Sequence, residues 1–180
     1  GKIIDPEIGG IRAGFYTSLT VRADDGRPGI AYLAETSQGG GVVIAEVRWA
    51  QANVANPKQA SDWTTTTLDM MTLPPVDPNM PDPYPLPSGI GLFVEAALDA
   101  QNQPTVVYYD RQHGDLKMVR WDAMGGRFGA PKVVVGQTED SGWYPSVAID
   151  PAGVAHVAYQ AADHDDVMYT STAMGQRPEI

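Results

Sequence analysis

Cysteine is absent from this chain, which excludes a disulfide framework and any thiolate metal site. That absence fits a secreted chain that needs no oxidation and a cytosolic one equally. No apolar run approaches the ~20 residues that cross a bilayer as a helix, and no charged-then-apolar leader heads the sequence. Residue 1 is Gly, so the expectation is a chain that begins after processing or is a piece of something longer. Basic residues are also few: 12 Lys and Arg stand against 22 Asp and Glu, a formal net charge of −10. Nucleic acid and anionic membrane are therefore not expected as partners, because both require a basic patch that displaces counterions.

Long unbroken segments are missing too. With 19 Gly and 15 Pro among 180 residues, the chain is cut into short pieces, yet 43% hydrophobic residues suffice for the core of one domain. The longest helix candidate, Val42 to Asn56, alternates Val43, Ala45, Val47 and Trp49 with Ile44, Glu46 and Arg48. Period two over that length specifies a strand.

What the sequence does contain is an internal repeat. The segments GFYTSLTVRADDGRPGIAY (Gly14 to Tyr32), GLFVEAALDAQNQPTVVY (Gly91 to Tyr108) and GWYPSVAIDPAGVAHVAY (Gly142 to Tyr159) share one pattern. Each opens on Gly and two bulky residues, then alternates: Leu19 and Val21, Ala96 and Leu98, Val147 and Ile149 lie on one face. A turn cluster of Asp, Asn, Gly and Pro follows, which supplies hairpin geometry. A second strand comes next, at Ile30 to Leu33, Val106 to Tyr109 and Val157 to Tyr159. Third strands are expected at Val43 to Trp49, Leu116 to Trp121 and Val167 to Thr172, and fourth strands near Trp63 to Leu68 and Pro131 to Val135.

Four-strand units at about 40 to 50 residues point to propeller blades. The expected fold is all-β, a β-propeller of four-stranded antiparallel blades with about three blades in this chain, a half-propeller or fragment. Its single domain, 1–180, divides into a fourth strand closing another blade (1–13), blade 1 (14–73), a Pro-rich insert (74–90), blade 2 (91–137) and blade 3 lacking its fourth strand (138–180). The opening residues GKIIDPEIGGIRAGFY resemble PKVVVGQTEDSGWYPS, the fourth strand of one unit running into the first of the next. Three blades are fewer than the four to eight that close a ring, so the expected partner is a second copy of the chain or the remaining blades of a larger propeller. The insert holds seven of the 15 prolines and forms an extended loop, with Tyr84 its only aromatic.

Asp150, Gly153, His156, Val157, Ala158 and Tyr159, with Pro104, Val107, Tyr108, Tyr109, Asp110, Gly114, Asp115, Leu116 and Lys117, resemble the blade pattern D-x-x-G-x-P-H-I-x-Y-Y-D followed by N-G-D-L-K-Y. That pattern belongs to bacterial propeller repeats related in shape to the sialidase and BNR-type propellers. The strict Asp box S-x-D-x-G-x-T-W is absent. The resemblance implies a secreted, periplasmic or cell-surface protein and assigns no uniform activity.

Candidate site residues follow from the repeat. His113 and His164 take equivalent hairpin tips, as do Asp115 and Asp166, and the Pro-rich loop with Tyr84 and the segment Asp140 to Tyr144 with Trp143 share that face. His-Gly-Asp and His-Asp-Asp are also ordinary turn sequences; as ligands, His113, His164 and Asp166 would take calcium or zinc, and no other cofactor is implied. His156 lies within a strand and is expected to be a packed or edge histidine rather than a ligand. Glu95 replaces Ser18 and Ser146 in the innermost strand and is the one catalytic candidate, for a glycan hydrolase that would need a second carboxylate. Arg111, Arg120, Asp110, Tyr108 and Tyr109 are available to such a site, but no spacing unites them. One member of each recurring pair, Phe15–Tyr16, Leu92–Phe93 and Trp143–Tyr144, is expected to pack between blades, with sugar stacking the alternative. The sequence reading is a non-enzymatic module that binds a protein or glycan through one loop face, or alternatively a glycan-active hydrolase.

Overall fold

The computed structural model describes residues 11–73, 75, 87, 89–136 and 140–173. It is all-β, with one 3-10 turn at Ala60–Asp62 as the sole helical element among the described residues, and none of its helices is long and apolar enough to cross a membrane.

Three antiparallel sheets form in chain order. The first contains β1 (Ile11–Val21), β2 (Pro28–Gly39), β3 (Val42–Ala52) and β4 (Trp63–Leu73), paired consecutively. The second contains β5 (Ile90–Leu98), β6 (Pro104–Asp110) and β7 (Asp115–Asp122); both the two-residue β8 (Arg127–Phe128) and β9 (Lys132–Val135) pair with β7. The third is β10 (Ser141–Ile149), β11 (Ala155–Ala161) and β12 (Asp166–Ser171). The Val42 segment is a strand, as its alternation requires. β1 begins at Ile11, so residues 11–13 belong to the first sheet, while the rest of 1–13 lies outside the described residues. So does nearly all of the Pro-rich insert, including Tyr84.

Turn chemistry closes the hairpins as the composition specifies. Asp99 Oδ1 accepts the backbone N–H groups of Gln101 and Gln103, and Asp150 Oδ1 accepts those of Ala152 and Val154. These are matching Asx turns in consecutive repeats.

The sheets stack face to face. Leu33, Val47, Trp49 and Leu68 of the first pack against Val94, Val106, Tyr108 and Val119 of the second. Val107, Leu116 and Met118 on the opposite side of the second sheet pack against Val157 and Tyr159 of the third, with Val147 and Ile149 alongside. Because the second sheet is covered on both faces, β6 is buried along its whole length. Each Val or Leu so enclosed contributes about 1.5–3 kcal/mol of hydrophobic stabilisation.

Polar groups pin the same junctions. Tyr108 Oη donates to Asp69 Oδ2 at 2.7 Å, and Lys117 Nζ lies 3.2 Å from Asp69 Oδ2 and 3.0 Å from Asp110 Oδ2. Asn102 Oδ1 accepts the Ala23 N–H at 2.7 Å, and Arg120 donates to the Gly153 carbonyl at 2.8 Å.

These contacts set an alkaline limit. Burial, reinforced by the Asp69 hydrogen bond, holds the Tyr108 hydroxyl far above its ordinary value, and burial with Asp140 does the same for Tyr109. In the unfolded chain both ionise near pH 10. Their stabilisation is therefore complete below about pH 10 and is lost as pH rises beyond it. Urea midpoints are expected to fall steeply above that pH, and less steeply in Tyr108→Phe.

Candidate functional site: an aromatic ladder across the first strands

The opening strand of every repeat carries the same backbone irregularity. Pairing of β1 with β2 shifts register between Ala13 and Phe15 and again between Phe15 and Ser18. β5 shifts at Ile90/Leu92 and Leu92/Glu95, and β10 at Ser141/Trp143 and Trp143/Ser146. At each double bulge the glycine has positive φ (Gly14 95°, Gly91 87°, Gly142 109°), and so has the aromatic two residues on: Tyr16 49°, Phe93 53° and Tyr144 47°. An aromatic residue in the left-handed region is uncommon and costs energy, so such positions are held by their surroundings.

The consequence is that the second member of each bulky pair is turned out of strand alternation. The first strands lie side by side, β1 against β5 and β5 against β10, and the three aromatics meet. Tyr16 and Phe93 stand edge to face at 5.1 Å between centroids, and Phe93 and Tyr144 are tilted at 4.2 Å. Tyr109 and Trp143 flank Phe93 at 6.3 and 6.1 Å. Asp140 ties the flank together by accepting from both the Tyr109 hydroxyl and Trp143 Nε1. Tyr144, at the end of the row, is 59% exposed.

Charged groups border the rings. Arg12 lies 5.0 Å over the Phe15 ring and 3.5 Å from Glu35. The Tyr16 hydroxyl is pushed up first by burial and then by Tyr144 and Glu35, with Arg111 opposing. Arg111 reaches the Pro87 carbonyl at 3.4 Å. Rings with one open end, beside a guanidinium and carboxylates, can stack on an apolar ligand face and hydrogen-bond its rim.

No protein-family model matches the chain, and no curated protein matches its sequence.

Of the residues singled out by sequence, Trp143 belongs to this cluster. His113 stands outside it: its Nδ1 is 2.9 Å from the fully buried Asp110, whose Oδ1 also accepts from the Gln112 and His113 backbone. At the equivalent tip His164 is exposed, and Ala161 stands where the other hairpin has Asp110. Asp115 is half-buried and Asp166 exposed. Among the described residues no three His, Asp or Glu side chains gather as a metal group. His156 packs, with Nδ1 2.6 Å from the Tyr169 hydroxyl and Nε2 3.3 Å from Asp150.

Glu95 is engaged at the junction of the first two sheets. Ser18 Oγ, its counterpart in β1, donates to Glu95 Oε2 at 2.9 Å and accepts the Ala96 N–H at 3.0 Å.

Sequence reasoning found the bulky pairs and expected one member of each to pack between blades, without saying which. Tyr16, Phe93 and Tyr144 form a row only because of the bulges, for which the recurring glycine two residues earlier is the one sequence signal.

Proposed function

We propose that each sheet is one blade of a β-propeller and that the chain is a non-enzymatic binding module of about three blades. It takes a glycan on the aromatic face, in a secreted, periplasmic or cell-surface setting. The observation that carries this reading is the row Tyr16–Phe93–Tyr144, built three times over by the same strained bulge and left open at Tyr144. Backbone strain repeated at one site supports use of that site. The C–H face of a pyranose stacks on such rings, while Arg12, over the Phe15 ring and paired with Glu35, suits its hydroxyls.

The location rests on the resemblance to bacterial propeller repeats. The hydrolase alternative draws no support from Glu95, whose carboxylate braces Ser18, and glycoside cleavage requires a second carboxylate across the sugar.

Calorimetry against an oligosaccharide panel tests the reading. Binding is expected for at least one saccharide and should weaken by tenfold or more in Tyr144→Ala, a change at a mainly exposed ring that should lower the thermal midpoint by only a few degrees. Absence of binding across the panel, affinity unchanged in Tyr144→Ala, or turnover of chromogenic glycosides that disappears in Glu95→Gln would overturn it.

A further inference from the structure

Resting on the reading of the aromatic row as a glycan site, we infer that its ligand is an uncharged oligosaccharide, selected by Asp140, which accepts hydroxyls of the sugar unit stacked on Tyr144.

The rings set where those hydroxyls fall. Tyr144 is the open ring of the row, and the Trp143 ring stands 6.1 Å away at 73° to it. A pyranose stacked through its C–H face keeps its equatorial hydroxyls at the rim. A group beside the stacking ring, rather than beneath it, therefore reads them. Asp140 stands in that place, because its Oδ1 accepts from Trp143 Nε1 at 3.0 Å.

The carboxylate keeps acceptor capacity. Its Oδ1 takes both donors already described, the Tyr109 hydroxyl and the Trp143 indole N–H, while no described residue donates to Oδ2. An aspartate presents about four acceptor sites, so about half remain for a ligand. The backbone around it is held as well. The Asp140 N–H donates to Asp163 Oδ2 at 2.8 Å, and the Asp140 carbonyl accepts the Ala162 N–H at 2.8 Å. An acceptor fixed before binding loses little freedom when the ligand arrives. Hydroxyl donors suit it, since hydrogen bonds to a carboxylate are stronger than those between neutral groups.

The surrounding charge opposes an acidic sugar. Asp163 and Asp165 are exposed on the β11–β12 tip that bonds to Asp140, and the whole chain carries a formal charge of −10. A uronate or sulfate group brought to Tyr144 meets a field of its own sign. The nearby cations are engaged: Arg12 lies 3.5 Å from Glu35, and Arg111, two residues after Tyr109, donates to the Pro87 carbonyl at 3.4 Å. A free amine on the sugar gains little in exchange, because exposed ion pairs contribute little and an ammonium is strongly hydrated. Stacking and hydroxyl bonds, which need no net charge on the ligand, are what the site offers.

Calorimetry on the 180-residue chain with matched oligosaccharides tests this. One pair is a neutral hexose oligomer and its uronic-acid counterpart; the other is an N-acetylglucosamine oligomer and its de-acetylated amine. The neutral member of at least one pair is expected to bind more tightly than its charged counterpart, and the gap to the uronate should narrow as salt screens the carboxylates. Asp140→Asn keeps an Oδ1 acceptor for Tyr109 and Trp143 but puts a donor where the free oxygen stood. It should weaken neutral binding by about tenfold, the loss expected when a hydrogen bond to a charged group is removed, and narrow the gap to the uronate. A merely structural role for Asp140 predicts equal losses for both members. Tighter binding of the uronate or the amine, equal losses, or neutral affinity unchanged in Asp140→Asn overturns the inference. Where such binding still depends on Tyr144, the glycan reading stands. No binding by any member overturns both.

Discussion

Lys117→Met is expected to destabilise the protein by about 3 kcal/mol, the cost typical of removing one partner from a buried ion pair. Lys117 Nζ is the cation between Asp110 Oδ2 at 3.0 Å and Asp69 Oδ2 at 3.2 Å, and the Asp110 side chain is fully buried. Desolvation lowers the Lys117 pKa, but the bonds and charges of Asp110 and Asp69 outweigh it, so the net direction is upward. Its stabilisation is therefore complete below the ordinary lysine range and lost only as pH rises through the raised value. At neutral pH the substitution acts in full. Methionine preserves the stem's packing against the sheets while leaving two carboxylates facing each other without a cation. Urea denaturation at pH 7 reads the effect. Asp69→Leu in the same chain should recover part of the loss, since it removes one of the two charges. A change below about 0.5 kcal/mol, the range of ordinary surface substitutions, would show that the network contributes nothing.

The second large effect is expected at the backbone. Gly142 has a φ of 109° at the bulge of β10, and a Cβ there would come within 2.8 to 3.0 Å of the Leu116 backbone and Cβ. Backbone cannot swing aside as a side-chain tip can. Strain in a disfavoured φ region costs roughly 1–3 kcal/mol, and the clash adds to it. Gly142→Ala should therefore lose about 3 kcal/mol, which lowers Tm by roughly 6–12 °C in a domain of this size. Gly153→Ala is the comparison. It also has positive φ, but its Cβ meets nothing within 4 Å, so its loss should be smaller. Equal Tm values for the two variants would show that the close approach of Gly142 to β7 is not what requires the glycine.

Much of the fold was legible because it is local. Alternation specified β3 over Val42–Ala52 against the helix reading, and Asp99 and Asp150 specified their turns through their own side chains. The third strands were placed within a residue or two at their starts. β8 escaped notice because two residues carry no period. Trp63–Leu68 was read short of Leu73 because the Thr-rich run Thr64 to Thr67 gives way to Asp69 and two methionines, which break the alternation, while the structure continues the strand past a bulge opposite Val47 and Arg48.

The candidate site was less legible. Histidines at hairpin tips stood out by residue type, yet His113 is taken by Asp110, three residues before it, in a turn that the sequence reading had already allowed. Trp143 was singled out by type as well and stands in the aromatic cluster. Its neighbours Tyr109 and Phe93 come from other strands of another sheet, at separations that no spacing rule reaches.

By itself, the sequence determined the all-β class, the hairpins and their turns, because each depends on residues a few positions apart, and the lack of cysteine excluded thiolate chemistry. Only tertiary structure decided that the second member of each bulky pair joins one row, in which Tyr16 and Phe93 are half-buried and Tyr144 is exposed. The double bulge reverses the side of Tyr16, Phe93 and Tyr144, and the packing of β1, β5 and β10 brings three such reversals into one row. It decided equally that Glu95 braces Ser18 and that Lys117 joins Asp69 to Asp110. Those contacts form between residues 48 to 77 positions apart or across a hairpin, where the stacking of sheets, not the period of a strand, fixes the neighbour.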